Sequence, residues 1–174
     1  VLAAGIARLG RLHSAWLSGV VVIVALFQLW PMIAPVADGA IIIQRLGWMP
    51  AIGLDLVFRL DGLGLLFALL ILGIGLLIIL YARYYLSERD CMGRFYAYLL
   101  LFMGAMLGIV LSENIIQLLI FWELTSLSSF LLISYWQERS DARSGARMAL
   151  AVTGAGGLAM LGGFVLLGEI VGSY

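Results

Sequence analysis

Lysine is absent from these 174 residues, so every one of the 10 basic side chains is an arginine. Charge of either sign is scarce, at 11% of the chain, against about a quarter in a soluble domain. Formal net charge is zero, so nothing points to nucleic acid or to an acidic substrate. A single cysteine, Cys91, excludes an internal disulfide framework and a cysteine-rich metal site. The single histidine, His13, stands just ahead of an apolar run and reads as an interfacial group, not a metal ligand. Gly154-Ala155-Gly156-Gly157 has neither the following lysine nor the preceding strand of a phosphate-binding loop. Zinc, haem, flavin and nucleophile signatures are all missing. The expectation is a protein with no metal and no cofactor of its own.

What is present is apolar. Hydrophobic residues make up 64% of the chain, and mean hydropathy is +1.12. A spanning helix needs about 20 mainly apolar residues. Runs of that kind lie at roughly Ser14–Val36, Gly62–Ala82, Phe95–Leu111, Ile115–Trp136 and Met148–Val171. The reading is an all-α polytopic membrane protein: one transmembrane domain over 1–174, with five spans and a short external β-hairpin in the loop 37–61. The chain opens on Val1, and Val1–Leu9 looks like the tail of a helix begun earlier. The apolar run at the other end stops just before Gly172-Ser173-Tyr174. Both ends are those expected of a piece of a longer subunit.

Arginine placement orients the spans. Arg8 and Arg11 precede the first, Arg83, Arg89 and Arg94 flank the link after the second, and Arg139, Arg143 and Arg147 follow the fourth. Positive charge collects on the cytoplasmic side. The N-terminal end and loops 83–94 and 137–147 are therefore expected inside, and loop 37–61 outside. In that outer loop Ile52, Leu54, Leu56, Phe58 and Leu60 alternate with Gly53, Asp55, Val57 and Arg59. Period two argues a strand. Ile41–Arg45 is its expected partner, across a turn at Gly47-Trp48-Met49-Pro50. Asp61, just before Gly62-Leu63-Gly64, is placed to cap the next helix.

Small residues recur every fourth position at Ala151, Ala155, Ala159 and Gly163, and again at Gly104 and Gly108. Such stripes are expected to pack helix against helix.

One residue breaks the apolar pattern. Glu123 lies near the middle of the run Ile115–Trp136. A charge at that depth costs at least ~2.5 kcal/mol on insertion scales. Chains that keep such a group usually pair it, protonate it or use it. At about 100° per residue, Ser126, Phe130 and Ser134 share its helix face. The hydroxyls of Ser126 and Ser134 are thus candidate supporting groups for a proton path through Glu123. Ser128 and Ser129 are expected to bond their own backbone or a neighbouring helix instead. Every arginine sits in or near a loop, so this stretch offers the carboxylate no cation. Glu113, in an outer turn, and Glu169, near the end of the last run, read as interfacial.

The residues around Glu123 carry a family likeness. Phe121-Trp122-Glu123-Leu124-Thr125-Ser126-Leu127-Ser128-Ser129-Phe130-Leu131-Leu132-Ile133 resembles the signature of the A-type subunit of Mrp-type sodium/proton antiporters. Phe58-Arg59-Leu60-Asp61-Gly62-Leu63-Gly64-Leu65-Leu66-Phe67-Ala68-Leu69-Leu70-Ile71 resembles its hairpin end and third helix. Thr153-Gly154-Ala155-Gly156-Gly157-Leu158-Ala159-Met160-Leu161 resembles its sixth helix. The L-type subunit of complex I and the antiporter-like subunits of membrane-bound hydrogenases share that fold, and Thr125-Ser126 after the glutamate favours the Mrp subunit. The resemblance implies that these spans are helices two to six of a longer antiporter-like subunit, whose N-terminal part this is. It implies that Glu123 translocates protons, paired with a lysine on a later helix. It implies other membrane subunits as partners in a bacterial inner-membrane complex that exchanges sodium for protons. The alternative it carries is the proton-pumping arm of a complex I-like or hydrogenase-like oxidoreductase.

Overall fold

The computed structural model describes residues 2–49, 54–87 and 90–171. Helix α1 covers Leu2–Ala37, strands β1 and β2 cover Ile42–Met49 and Leu54–Leu60, and α2 covers Gly62–Tyr85. Helices α3, α4 and α5 follow at Met92–Leu111, Ile115–Ile133 and Ser140–Val171. All 5 helices are long and apolar enough to cross a membrane. Hydrocarbon offers no water to backbone groups, so a spanning segment must close its hydrogen bonds on itself. The five apolar runs do so as helices, and the protein is a multi-pass membrane protein.

The helix ends depart from the apolar runs. The segment expected to end an earlier helix is continuous with α1 from Leu2 onward. Arg8, Arg11 and His13 are polar but helix-compatible, so polarity there marks no break. Helix α5 begins at Ser140, well inside the expected loop 137–147. Helix α4 stops at Ile133, short of Trp136. Hydropathy locates membrane depth, whereas helix ends are set by caps.

Those caps are readable in atoms. After α1 the Gly39 N–H donates to the Val36 carbonyl and the Ala40 N–H to the Pro35 carbonyl, both at 3.0 Å. Gly39 has φ 91°, the left-handed turn that a helix C-terminus takes most easily at glycine. Asp61 caps α2, its Oδ1 accepting the Gly64 N–H at 2.8 Å, as expected. Asn114 caps α4, its Oδ1 accepting the N–H groups of Ile116 at 2.8 Å and Gln117 at 3.1 Å.

The hairpin is antiparallel, with Ile42 opposite Leu60, Gln44 opposite Phe58 and Leu46 opposite Leu56. The register shifts between Leu46 and Met49. Strand β1 runs through Gly47, Trp48 and Met49, three positions expected in the turn. The rest of that expected turn, from Pro50, lies outside the described residues. Leu60 packs with Val36 and Leu65 beneath the hairpin, beside Ile42 and Leu111.

Each helix packs on its neighbour in the chain, and α1 also reaches α3. The larger core cluster includes Val22, Leu72, Ile79, Tyr96, Leu99 and Met103. Tyr96 is buried, and its hydroxyl donates to the Ile79 carbonyl at 3.2 Å. The arginine-bearing links gather at one end of the bundle. There the Arg83 guanidinium lies over the rings of Trp16 and Tyr84, at 5.4 and 5.6 Å. The Trp136 indole N–H donates to Asp90 at 3.2 Å, and Arg94 donates to the Tyr135 carbonyl at 3.3 Å. The hairpin lies at the other end, against the α3–α4 link, where Phe58 bridges to Ser112.

Candidate functional site

Glu123 stands at mid-length of α4, eight residues after Ile115 and ten before Ile133. At ~1.5 Å per residue that puts about 12 and 15 Å of helix on its two sides. The residue is part-buried. Its Oε1 is fully buried and has no hydrogen-bond partner among the described residues. The ion pairs formed among the described residues do not involve it.

Helix α5 closes one side of the carboxyl. Oε1 occupies the space that a Cβ on Gly157 would fill, and Cδ lies 2.8 Å from that same point. On the α3 side, the Phe121 ring fills the corresponding space at Gly108. Helix α4 is thus seated between two glycines, one receiving an aromatic ring and the other a carboxyl.

The hydroxyls near Glu123 bond to their own helix. Ser126 is buried, and its Oγ donates to the Trp122 carbonyl at 3.3 Å. Ser134 lies at the C-cap of α4, past the last helical residue, and donates to the Leu131 carbonyl at 3.3 Å. Thr125 donates to Trp122 at 2.7 Å, and Ser128 to Leu124 at 2.7 Å. Each hydroxyl keeps lone pairs that can accept a further hydrogen bond. Ser126 is one turn from Glu123, whereas Ser134 is at the end of the helix.

The four-residue stripe expected to pack on α5 faces outward. Ala151, Ala155, Ala159 and Gly163 are exposed, and the buried positions are Ala146, Gly157 and Gly168. Of the α3 pair, Gly108 is packed and Gly104 has open space.

A second polar cluster lies at the hairpin end. Arg59 reaches Asp61 at 3.5 Å and Glu113 at 3.8 Å. The three line a cleft of about 420 Å³ with Gly64, Ser112 and Val110. Glu113 is therefore more than a solvated turn residue, being tied to the hairpin by charge and by its N–H, which donates to the Val57 carbonyl at 3.1 Å. Sequence reasoning misses Gln117, yet it is buried and accepts the Val57 N–H at 2.7 Å. Its only local signal is being an amide in an apolar helix.

With this geometry established, comparison with known proteins is specific. Residues 48–96 match the family described as NADH-ubiquinone oxidoreductase (complex I), chain 5 N-terminus. Residues 112–174 match the family described as NADH:quinone oxidoreductase/Mrp antiporter, transmembrane. The A/B subunit of a probable K(+)/H(+) antiporter of Rhizobium meliloti is 50% identical over 160 residues, 92% of this chain and 16% of that protein. The A1 subunit of a Na(+)/H(+) antiporter of Staphylococcus aureus is 52% identical over 157 residues, 90% of this chain and 20% of that protein. A chain of the Mrp complex from Dietzia sp. DQ12-45-1b superposes with a TM-score of 0.82 at 33% identity, over 98% of this chain and 18% of that one. The chain thus spans a fifth or less of the length of these relatives. It belongs to the antiporter-like subunit superfamily that Mrp antiporters share with complex I, with Mrp-type A subunits among its relatives.

Proposed function

We propose that this chain forms part of the ion-translocating subunit of a multi-subunit cation/proton antiporter. It exchanges sodium for protons through a polar axis that includes Glu123. The observation that carries this reading is the Glu123 carboxyl at mid-helix, with Oε1 buried and without a hydrogen bond among the described residues. A group held that way is costly unless it is paired, protonated or used, and function is the first reading of an ionisable side chain at such a position. The resemblance supplies a partner, a lysine on a later helix of the longer subunit. In the proposed cycle Glu123 loads or releases a proton as that lysine swings toward or away from it. Ser126 and Ser134 are the proposed hydroxyl supports of this path.

The assembly would sit in a bacterial cell membrane with other membrane subunits. The arginine-bearing end, with loops 83–94 and 137–147, would face the cytoplasm. Relatives named for sodium and for potassium both exist. Sodium is proposed on the likeness of the Glu123 segment to the sodium/proton subunit. The chain serves a secondary transporter and does not catalyse bond chemistry.

Glu123→Gln in the full assembly tests this. Sodium-driven pH change in inverted vesicles should disappear at normal assembly levels, and unchanged exchange would sink the proposal. A second reading rests on the oxidoreductase named in the descriptions of both matching families: a proton-pumping arm driven by electron transfer. Purification of the native complex separates the two. Co-purifying flavin or iron–sulfur subunits select the pump, and small membrane subunits alone select the antiporter.

A further inference from the structure

We infer that Gly157 is the positioning residue for Glu123, an inference that rests on the transport role proposed above. Among the glycines whose surroundings are described, three are filled by a neighbouring helix's side chain. At Gly75 the filler is the Met103 side chain and at Gly108 the Phe121 ring, both apolar. At Gly157 it is the carboxyl of Glu123, with Oε1 in the place of the missing Cβ and Oε2 at 3.5 Å from that point. Among the described residues, only here does a glycine seat fix an ionisable group of another helix.

The neighbouring glycines separate this from a general need for small residues. Gly154 and Gly156 have nothing within 4 Å of the position a methyl would take, and Gly157 is the buried one of the three. The seat therefore belongs to one residue. Oε1 is pressed into it without a protein hydrogen bond among the described residues. A carboxyl held against bare helix backbone keeps one orientation. Any side chain at 157 would turn it away from that orientation. Proton transfer depends on donor and acceptor meeting at hydrogen-bond distance.

The test uses the complete complex in inverted vesicles, with antiport measured across pH and normalised to assembled complex. Gly157→Ala should lower exchange on the order of tenfold or more, as misplacement of a reacting group does, and should shift the pH profile. Glu123→Asp withdraws the carboxyl by one methylene. The double variant Gly157→Ala with Glu123→Asp should therefore exceed Gly157→Ala alone, although Glu123→Asp by itself is impaired. Packing damage against any group other than Glu123 predicts no such rescue, and a clash with Glu123 that only weakens assembly leaves the pH profile of the assembled complex unshifted. Should Gly157→Ala fail to assemble, recovery of assembly in the double variant supports the seat, and no recovery overturns it. Normal rate and pH profile in Gly157→Ala, beside a silent Glu123→Gln, would overturn the positioning role and leave the transport proposal standing. An active Glu123→Gln would remove the transport proposal instead. The infrared band of the Glu123 carboxyl, assigned by difference against Glu123→Gln, reads the seat without transport. It should move in Gly157→Ala, and an unmoved band rejects the seat.

Discussion

Gln117 fastens the hairpin to the helix that carries Glu123, because its Oε1 accepts the Val57 N–H at 2.7 Å across 60 residues of sequence. The amide is buried, and Val57 also takes the Glu113 N–H on its carbonyl. Both main-chain groups of Val57 are thus satisfied by the start of α4 and its approach. Gln117→Leu leaves the Val57 N–H without its acceptor. The expected cost is about 1–3 kcal/mol, measured by thermal unfolding in detergent, with faster hydrogen exchange at Val57. Unchanged exchange at that amide would show that the hydrogen bond is not what holds the hairpin.

Asp61 distinguishes a cap from a transport group. Its Oδ1 accepts the Gly64 N–H, a role asparagine fills as well as aspartate. Asp61→Asn should leave stability and antiport close to normal, whereas Asp61→Ala should cost about 0.5–2 kcal/mol. Loss of transport in a stable Asp61→Asn complex would give the carboxylate a role in the ion path.

Arg59 holds two half-exposed carboxylates, at 3.5 and 3.8 Å. Exposed pairs contribute ~0–1 kcal/mol and are screened by salt. Arg59→Gln should lower the unfolding temperature only slightly, and the difference should shrink at high salt. A loss as large as that of Gln117→Leu would contradict this ranking.

Gly75 and Gly108 both receive a side chain, but of different stiffness. Met103 is flexible and can swing away from a new methyl, whereas the Phe121 ring is rigid. Gly108→Ala should cost about 1–3 kcal/mol as overpacking, and Gly75→Ala clearly less. Assembly yields in parallel membranes rank them, and the reverse order would refute the argument.

Cys91 reports orientation. It is exposed at the start of α3, on the arginine-bearing end. In a complex whose other cysteines are removed, a membrane-impermeant maleimide should label it in inverted vesicles and not in right-side-out ones. The opposite pattern would reverse the proposed topology.

Some of this protein was legible from its residues alone. Five apolar runs became five helices because lipid forces each backbone to bond itself. Alternation at 54–60 became a strand, and Asp61 became a cap, since both signals are local. The place of Glu123 at the middle of a helix followed from counting along the apolar run. Other features required the folded chain. The stripe Ala151, Ala155, Ala159 and Gly163 is exposed among the described residues, while Gly157 is buried against Glu123. In water an apolar stripe marks the inside, but lipid is as apolar as a helix interface. Hydrophobic pattern therefore placed each helix in the membrane and left its rotation undetermined. Side-chain fit between helices decided that rotation, and with it which glycine receives the carboxyl at the middle of α4.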